Sequence, residues 1–270
     1  MSNIKSAVIL TFQNEIQSFG KLDNRVIMSP IIQLDTKRSY YIRGISAQLS
    51  SRIPNVYKAT DYVFDNSTVR VKRNVADAWT TVQLTYGIYD PQQIGAAIVS
   101  AVSSWFTNSA DPSLVISTNS VIDKTIITIV TGKLKAGGTQ FCLDLSQSDM
   151  YSTLGFSATK TFITNGVFSS DVTPKLDTQG LNCRIVCDLC PSRNINGRIS
   201  KCLIDVPLIY AAESVTEFLY PSFGSSNLPI IAYQGSHNVN GFVINFQTVY
   251  GLPMMFMSGR AIVTFDIVYE

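Results

Sequence analysis

Apolar and polar residues alternate with a period of two along most of the chain, as in strands with one buried face. Near the C-terminus Phe242, Ile244 and Phe246 line one strand, and Ala261, Val263, Phe265, Ile267 and Tyr269 line another. Leu181, Cys183, Ile185, Cys187 and Leu189 share a face of a third, with Asn182, Arg184 and Asp188 opposite. The same reasoning predicts strands over 7–12, 25–34, 40–49, 62–64, 68–73, 81–86, 114–118, 124–131, 139–145 and 199–209. Pro30 lacks a ladder amide, so its strand is expected at an edge or a bulge. Residues 124–131 are apolar on both faces and read as a central strand. Segments 160–180 and 211–239 are rich in turn formers and read as irregular.

The period changes within one block. Ile94, Ile98, Val102 and Trp105 or Phe106 recur at helical spacing, and Ala96, Ala97 and Ala101 keep that helix slim. Asp90 is placed as an N-cap, Pro91 at the first helical position and Gln93 where a capping box needs it. A helix is therefore predicted over about 90–106, and a short one, capped by Ser146 or Ser148, ends at Gly155. Outside this block about five strands precede and four or five follow, the number that two packed jelly-roll sheets require. The expected fold is mainly β, a single jelly-roll β-sandwich carrying an inserted α+β subdomain. The jelly roll takes residues 1–77 and 161–270, and the insert takes 78–160.

Composition narrows the function classes. Charged residues are 15% of the chain against about a quarter in an average protein. A net charge of +2 argues against nucleic acid as a specific partner, because phosphate neutralisation needs a concentrated basic surface. Arg70-Val-Lys-Arg73 reads as a solvated strand face. No run approaches the roughly 18 apolar residues of a membrane span. The N-terminus lacks a small-residue cleavage site, so no signal peptide is expected and the cysteines are expected as thiols.

Candidate chemistry is sparse. Cys183-x3-Cys187-x2-Cys190-x11-Cys202 contains one CxxC and resembles zinc-ligand spacing. Yet Cys183 and Cys187 fall on the apolar face of their strand, where cysteine packs as a small hydrophobe. Core packing is the reading, and no metal or cofactor is expected. His237 is the sole histidine, no G-x-S-x-G elbow accompanies it, and it reads as a solvated loop residue. Asp188, Asp205 and Asp266 are expected on exposed strand faces. No catalytic residue is assigned. Aromatic residues in turn-rich segments are better interface anchors. The candidates are Tyr220, Phe223, Tyr233 and Phe256, with Met255 beside the last. The run Met254-Met-Phe-Met257 reads equally as a buried bend or a subunit contact.

Three short motifs carry a family resemblance: Ile53-Pro-Asn-Val-Tyr57, Gly87-Ile-Tyr-Asp90 leading into the helix, and Leu154-Gly-Phe156 closing the insert. With the final strands around Gly251-Leu-Pro and from Gly259 to Tyr269, the chain resembles the penton, or minor capsid, proteins of virophages and Polinton-like viruses. It is more distantly similar to the adenovirus penton base. The resemblance implies a structural capsid protein of the virion, assembled in the host cytoplasm. Five copies would form the icosahedral vertex and meet the major capsid protein. Arg-Gly-Asp is absent, so integrin binding does not transfer. Two other classes stay open at this point: a viral spike or carbohydrate-binding β-sandwich module, and a thiol- or zinc-dependent enzyme.

Overall fold

The computed structural model describes residues 5–16, 25–51, 53–59, 63–108, 110–179, 182–195, 198–208, 216–219, 231–257 and 259–269. The chain divides into two compact units: Met1–Ile53 with Gln179–Glu270, and Pro54–Thr178. The first is therefore discontinuous in sequence.

Eight strands make the two main ladders of the first unit: β1 (Lys5–Ile16), β2 (Arg25–Gln33), β3 (Tyr40–Ser51), β4 (Asn182–Cys187), β5 (Cys202–Pro207), β6 (Thr216–Leu219), β7 (Asn238–Thr248) and β8 (Gly259–Tyr269); in addition Ile231–Ala232 pairs with β3, and Arg193–Ile195 pairs with Arg198–Ser200. The eight form two antiparallel sheets, ordered β1-β8-β3-β6 and β5-β4-β7-β2. The alternation read from the sequence supplies one core between them. Phe12 of β1 meets Phe246 of β7 at 5.9 Å between ring centroids, and Phe242 of β7 meets Phe265 of β8 edge-on at 5.0 Å. Leu49, Ile185, Ile204, Val263 and Ile267 fill the space around them. Pro30 falls where expected. β2 is an edge strand, and its ladder with β7 slips between Val239 and Gly241.

In the second unit one sheet takes the order Thr161–Phe162, Cys142–Asp144, Thr68–Lys72, Thr80–Gln83. Another takes Gly166–Ser169, Lys124–Ile129, Leu114–Asn119. Lys124–Ile129 is central, as expected, although only one of its faces is buried. The unit is wider than the 78–160 expected for two reasons. Thr68–Lys72 pairs with Thr80–Gln83 and Cys142–Asp144, and two strands emerge from the supposed loop 160–180 to pair inside the same unit. Both are short and polar on one side, so their periodicity is faint. The strand Thr216–Leu219 is a second departure, lying in a segment read as irregular.

Helix α1 (Pro91–Ala101) begins as the capping box dictates. The Asp90 carboxylate accepts from the Gln93 amide at 2.7 Å, and the Gln93 side chain accepts from the Asp90 amide at 2.9 Å. It ends at Val102, short of 106, and a 3-10 turn, Ser103–Trp105, follows. Val102 is β-branched, and the serines after it favour turn geometry over a continuing helix. Helix α2 (Met150–Thr153) is closed by Gly155 at φ 84°.

Candidate functional site

Two of the three motifs that carry the resemblance, through Asn55 to Tyr57 and Gly87 to Tyr89, meet in one buried polar network of the second unit, which reaches Thr153 just before the third. Asn55 is 2% exposed and clamps the chain before α1: its Nδ2 donates to the Tyr89 carbonyl at 2.7 Å and its Oδ1 accepts from the Tyr89 amide at 2.9 Å. The Asn55 and Val56 amides both donate to the Gly87 carbonyl. Asn66, fully buried, ties this clamp to α2. Its Nδ2 donates to the Asn55 carbonyl at 2.6 Å and to Thr153 Oγ1 at 2.8 Å, while its Oδ1 accepts from the Tyr57 amide at 2.8 Å. The departing chain joins the same cluster: Thr178 Oγ1 donates to the Asn55 carbonyl at 3.2 Å, and the Lys175 amide donates to the Thr153 carbonyl at 2.9 Å. The network therefore fastens the entry and exit of the unit together. Asn66 stands between two short strand patterns, where asparagine ordinarily marks a turn. Its partners lie 9, 11 and 87 residues away, so nothing in its local sequence marks it.

Gly155 completes this closure. A Cβ there would stand 2.2 Å from the Val172 carbonyl oxygen, and its φ of 84° already disfavours side chains. Gly155→Ala is expected to destabilise the second unit by about 2–3 kcal/mol, read by urea denaturation. Both tryptophans, Trp79 and Trp105, belong to this unit, so their fluorescence reports on it.

Three arginine–aspartate pairs stand directly opposite on neighbouring strands. Arg70 donates to Asp144, with Nε at 2.8 Å. Arg43 donates to Asp266 at 2.6 Å, helped by Ser6. Arg184, 2% exposed, meets Asp205 at 3.1 Å. Two corrections follow. Asp266 is buried rather than exposed, and Arg70-Val-Lys-Arg73 is not simply solvated. Lys72 is 8% exposed and its ammonium lies 4.5 Å from the Trp79 ring centroid.

Burial alone would raise the carboxyls of Asp144 and Asp65. Hydrogen bonds outweigh it: Ser146, Arg70 and Thr161 hold Asp144 below the usual value, and Ser67 and Lys58 do the same for Asp65. A carboxyl depressed in the folded state stabilises fully above its unfolded pKa, about 3.9. That stabilisation is lost as pH falls through the lower folded value. The second unit is expected to weaken progressively below about pH 4, and Asp144→Asn to flatten that slope while lowering stability at neutral pH. Equal acid slopes in tryptophan-monitored unfolding of the two proteins would contradict this.

The cysteines all lie buried as free thiols. Cys183 and Cys187 sit in the first unit's core with Ile185 between them. Burial pushes the Cys183 thiol upward, and burial likewise raises Cys202 to about 12. A hydrogen bond with Cys190, then burial, raises Cys187. Burial and the neighbouring groups therefore favour the protonated thiol at these three positions. His237 is exposed, its carbonyl accepting from the Leu34 amide at 2.8 Å.

The interface candidates separate. Tyr220 and Phe223 lie outside the described residues. Tyr233 is half-buried, its hydroxyl donating to the Ser236 carbonyl at 2.6 Å and raised by burial to about 12. Met255 and Phe256 are buried at 4% and 0% exposure, and Phe256 belongs to the first unit's core. Phe256 packs edge-on against Phe246 at 5.7 Å. Met255 and Gln179 exchange two hydrogen bonds, at 2.7 and 3.0 Å. Met254, Met255 and Phe256 are all buried within the chain, and Met257 is half-buried.

What these residues define is a two-unit, mainly β chain whose polar groups serve closure and packing. No family model matches the sequence, and no curated protein matches it. Among solved structures the chain is similar to the mavirus penton protein, with 15% identity over 97% of this chain and 99% of that one, at a TM-score of 0.45. It is also similar to a chain of the Sputnik virophage structure, with 12% identity over 97% of each chain and a TM-score of 0.41.

Proposed function

We propose that the chain is a structural capsid protein of a virion, a penton subunit at the icosahedral vertex. Its first unit is a single jelly roll, and Pro54–Thr178 is a subdomain inserted between β3 and β4. The observation that carries this reading is the strand pairing. In the two sheets β1 lies beside β8, β2 beside β7, β3 beside β6 and β4 beside β5. A long antiparallel hairpin folded onto itself as a jelly roll yields those four pairs. The second support is that the motifs similar to penton proteins supply parts of the closure of the inserted unit.

Five copies pack head to tail, a heterologous contact that closes a ring about a five-fold axis. Tyr220, Phe223 and Tyr233 are the contact residues of this reading, and the major capsid protein is the neighbour around the ring. Assembly takes place in the host cytoplasm, and no catalytic step is involved. Native mass spectrometry over a concentration series tests the reading. The expected species has five times the 29.7 kDa chain mass. A monomer at every concentration carrying one equivalent of zinc would instead favour the metal-site reading of the cysteines.

A further inference from the structure

The segment Cys187-Asp-Leu-Cys190 ends β4 in a tight turn, where the Cys190 amide donates to the Cys187 carbonyl at 3.1 Å. A turn closed in this way brings its end Cα atoms within about 7 Å, and disulfides span about 4.4–6.8 Å. The two side chains also meet: the thiols are in hydrogen-bond contact, and both residues are 0% exposed. The other cysteines are placed differently. In the β4–β5 ladder Cys183 stands opposite Val206 and Cys202 opposite Val186, so no rung there carries two cysteines. Cys142 belongs to the second unit.

The turn is held from three sides. The Asp188 carboxylate accepts from the Val243 amide of β7 at 2.8 Å, and the Asp188 amide donates to the Val243 carbonyl at 3.2 Å. The Leu189 carbonyl accepts from the Gln234 amide at 3.0 Å, and the Asp188 carbonyl from the Lys201 ammonium at 3.3 Å. Cys187 and Cys190 therefore bracket the two residues that fasten the end of β4 to β7 and to Gln234. Asp188 is exposed, so local opening of the turn brings the sulfurs to solvent without unfolding the sheets.

We propose that Cys187 and Cys190 are an oxidation site, closing a disulfide across this turn when the protein meets a low-molecular-weight disulfide. The bond locks the turn onto β7. One thiol, its proton lost to water, attacks a sulfur of glutathione disulfide and expels a glutathione thiolate. The other, likewise deprotonated, attacks the cysteine sulfur of that mixed disulfide and expels the second glutathione. Two electrons pass to glutathione disulfide, and the two protons end on the departing glutathiones. The contact with Cys190, and then burial, disfavours the Cys187 thiolate, so exchange proceeds while the turn is open. The proposal is independent of the capsid reading.

To test it, the full chain is incubated with glutathione disulfide at mildly alkaline pH, alkylated with N-ethylmaleimide in denaturant and digested with trypsin. Arg184 and Arg193 bound one peptide, 185–193, that holds both cysteines, while Cys142, Cys183 and Cys202 fall in three others. The expected 185–193 peptide carries no maleimide and is two hydrogens lighter than its dithiol form, with the other three peptides alkylated. Dithiothreitol should restore both alkylation sites. Cys190→Ala should abolish the light peptide, and Cys183→Ala should leave it. Hydrogen exchange at the Val243 and Gln234 amides should slow severalfold in the oxidised chain. A 185–193 peptide alkylated at both cysteines, glutathione retained on either thiol, or a Cys183–Cys202 cross-link in its place would each overturn the proposal. Exchange as fast as in the reduced chain would overturn the locking of the turn. The unsubstituted chain supplies the deciding peptide, so a variant that fails to fold leaves the result standing.

Discussion

Asn66→Leu is expected to lower the unfolding free energy of the second unit by about 3–5 kcal/mol. Leucine matches asparagine in bulk but offers no hydrogen bond. The Tyr57 amide would lose the acceptor it has at 2.8 Å, and the Asn55 carbonyl and Thr153 hydroxyl would lose their donor. Asn66 is fully buried and Asn55 and Thr153 are each 2% exposed, so water cannot replace the lost partners in place. Each buried group left unsatisfied costs about 1–3 kcal/mol. Urea denaturation followed by tryptophan fluorescence measures the effect directly. A change below about 1 kcal/mol would show that the network does not hold the unit closed.

Phe256→Ala is expected to destabilise the first unit by about 4 kcal/mol, the usual loss for a phenylalanine removed from a packed core. Its ring is fully buried and packs edge-on against Phe246, which in turn reaches Phe12 on the other sheet. Removing it opens a cavity where the two sheets meet. Hydrogen exchange of β7 and β8 amides reads this loss. An assembly contact would behave differently, leaving those amides protected while weakening association of copies.

The strands with clean alternation were legible because one face carries a run of apolar residues, as Phe242, Ile244 and Phe246 do in β7 and Ala261 to Tyr269 in β8. The start of α1 was legible because Asp90, Pro91 and Gln93 state their roles locally. What escaped the sequence depends on partners far along the chain. Thr216–Leu219 becomes a strand by pairing with Leu49 and its neighbours on β3. Asp266 and Arg184 carry charge yet are buried, because an opposite charge stands across the ladder in each case. Asn66 looks like any turn former until Thr153 is brought beside it. Phe256 follows a proline in a turn-rich segment, a pattern shared by exposed anchors and buried bends alike. The short motifs mark parts of the second unit's closure, although nothing in the spacing of Ile53–Tyr57 and Gly87–Asp90 said that hydrogen bonds would join those two.

Electron cryo-microscopy of virus particles containing this protein is the most direct test of the capsid-vertex account. The expected map shows five copies about each five-fold axis, each presenting the β1-β8-β3-β6 and β5-β4-β7-β2 sheets with Pro54–Thr178 between β3 and β4. Vertices built from another chain, with this protein elsewhere or absent from the shell, would contradict it.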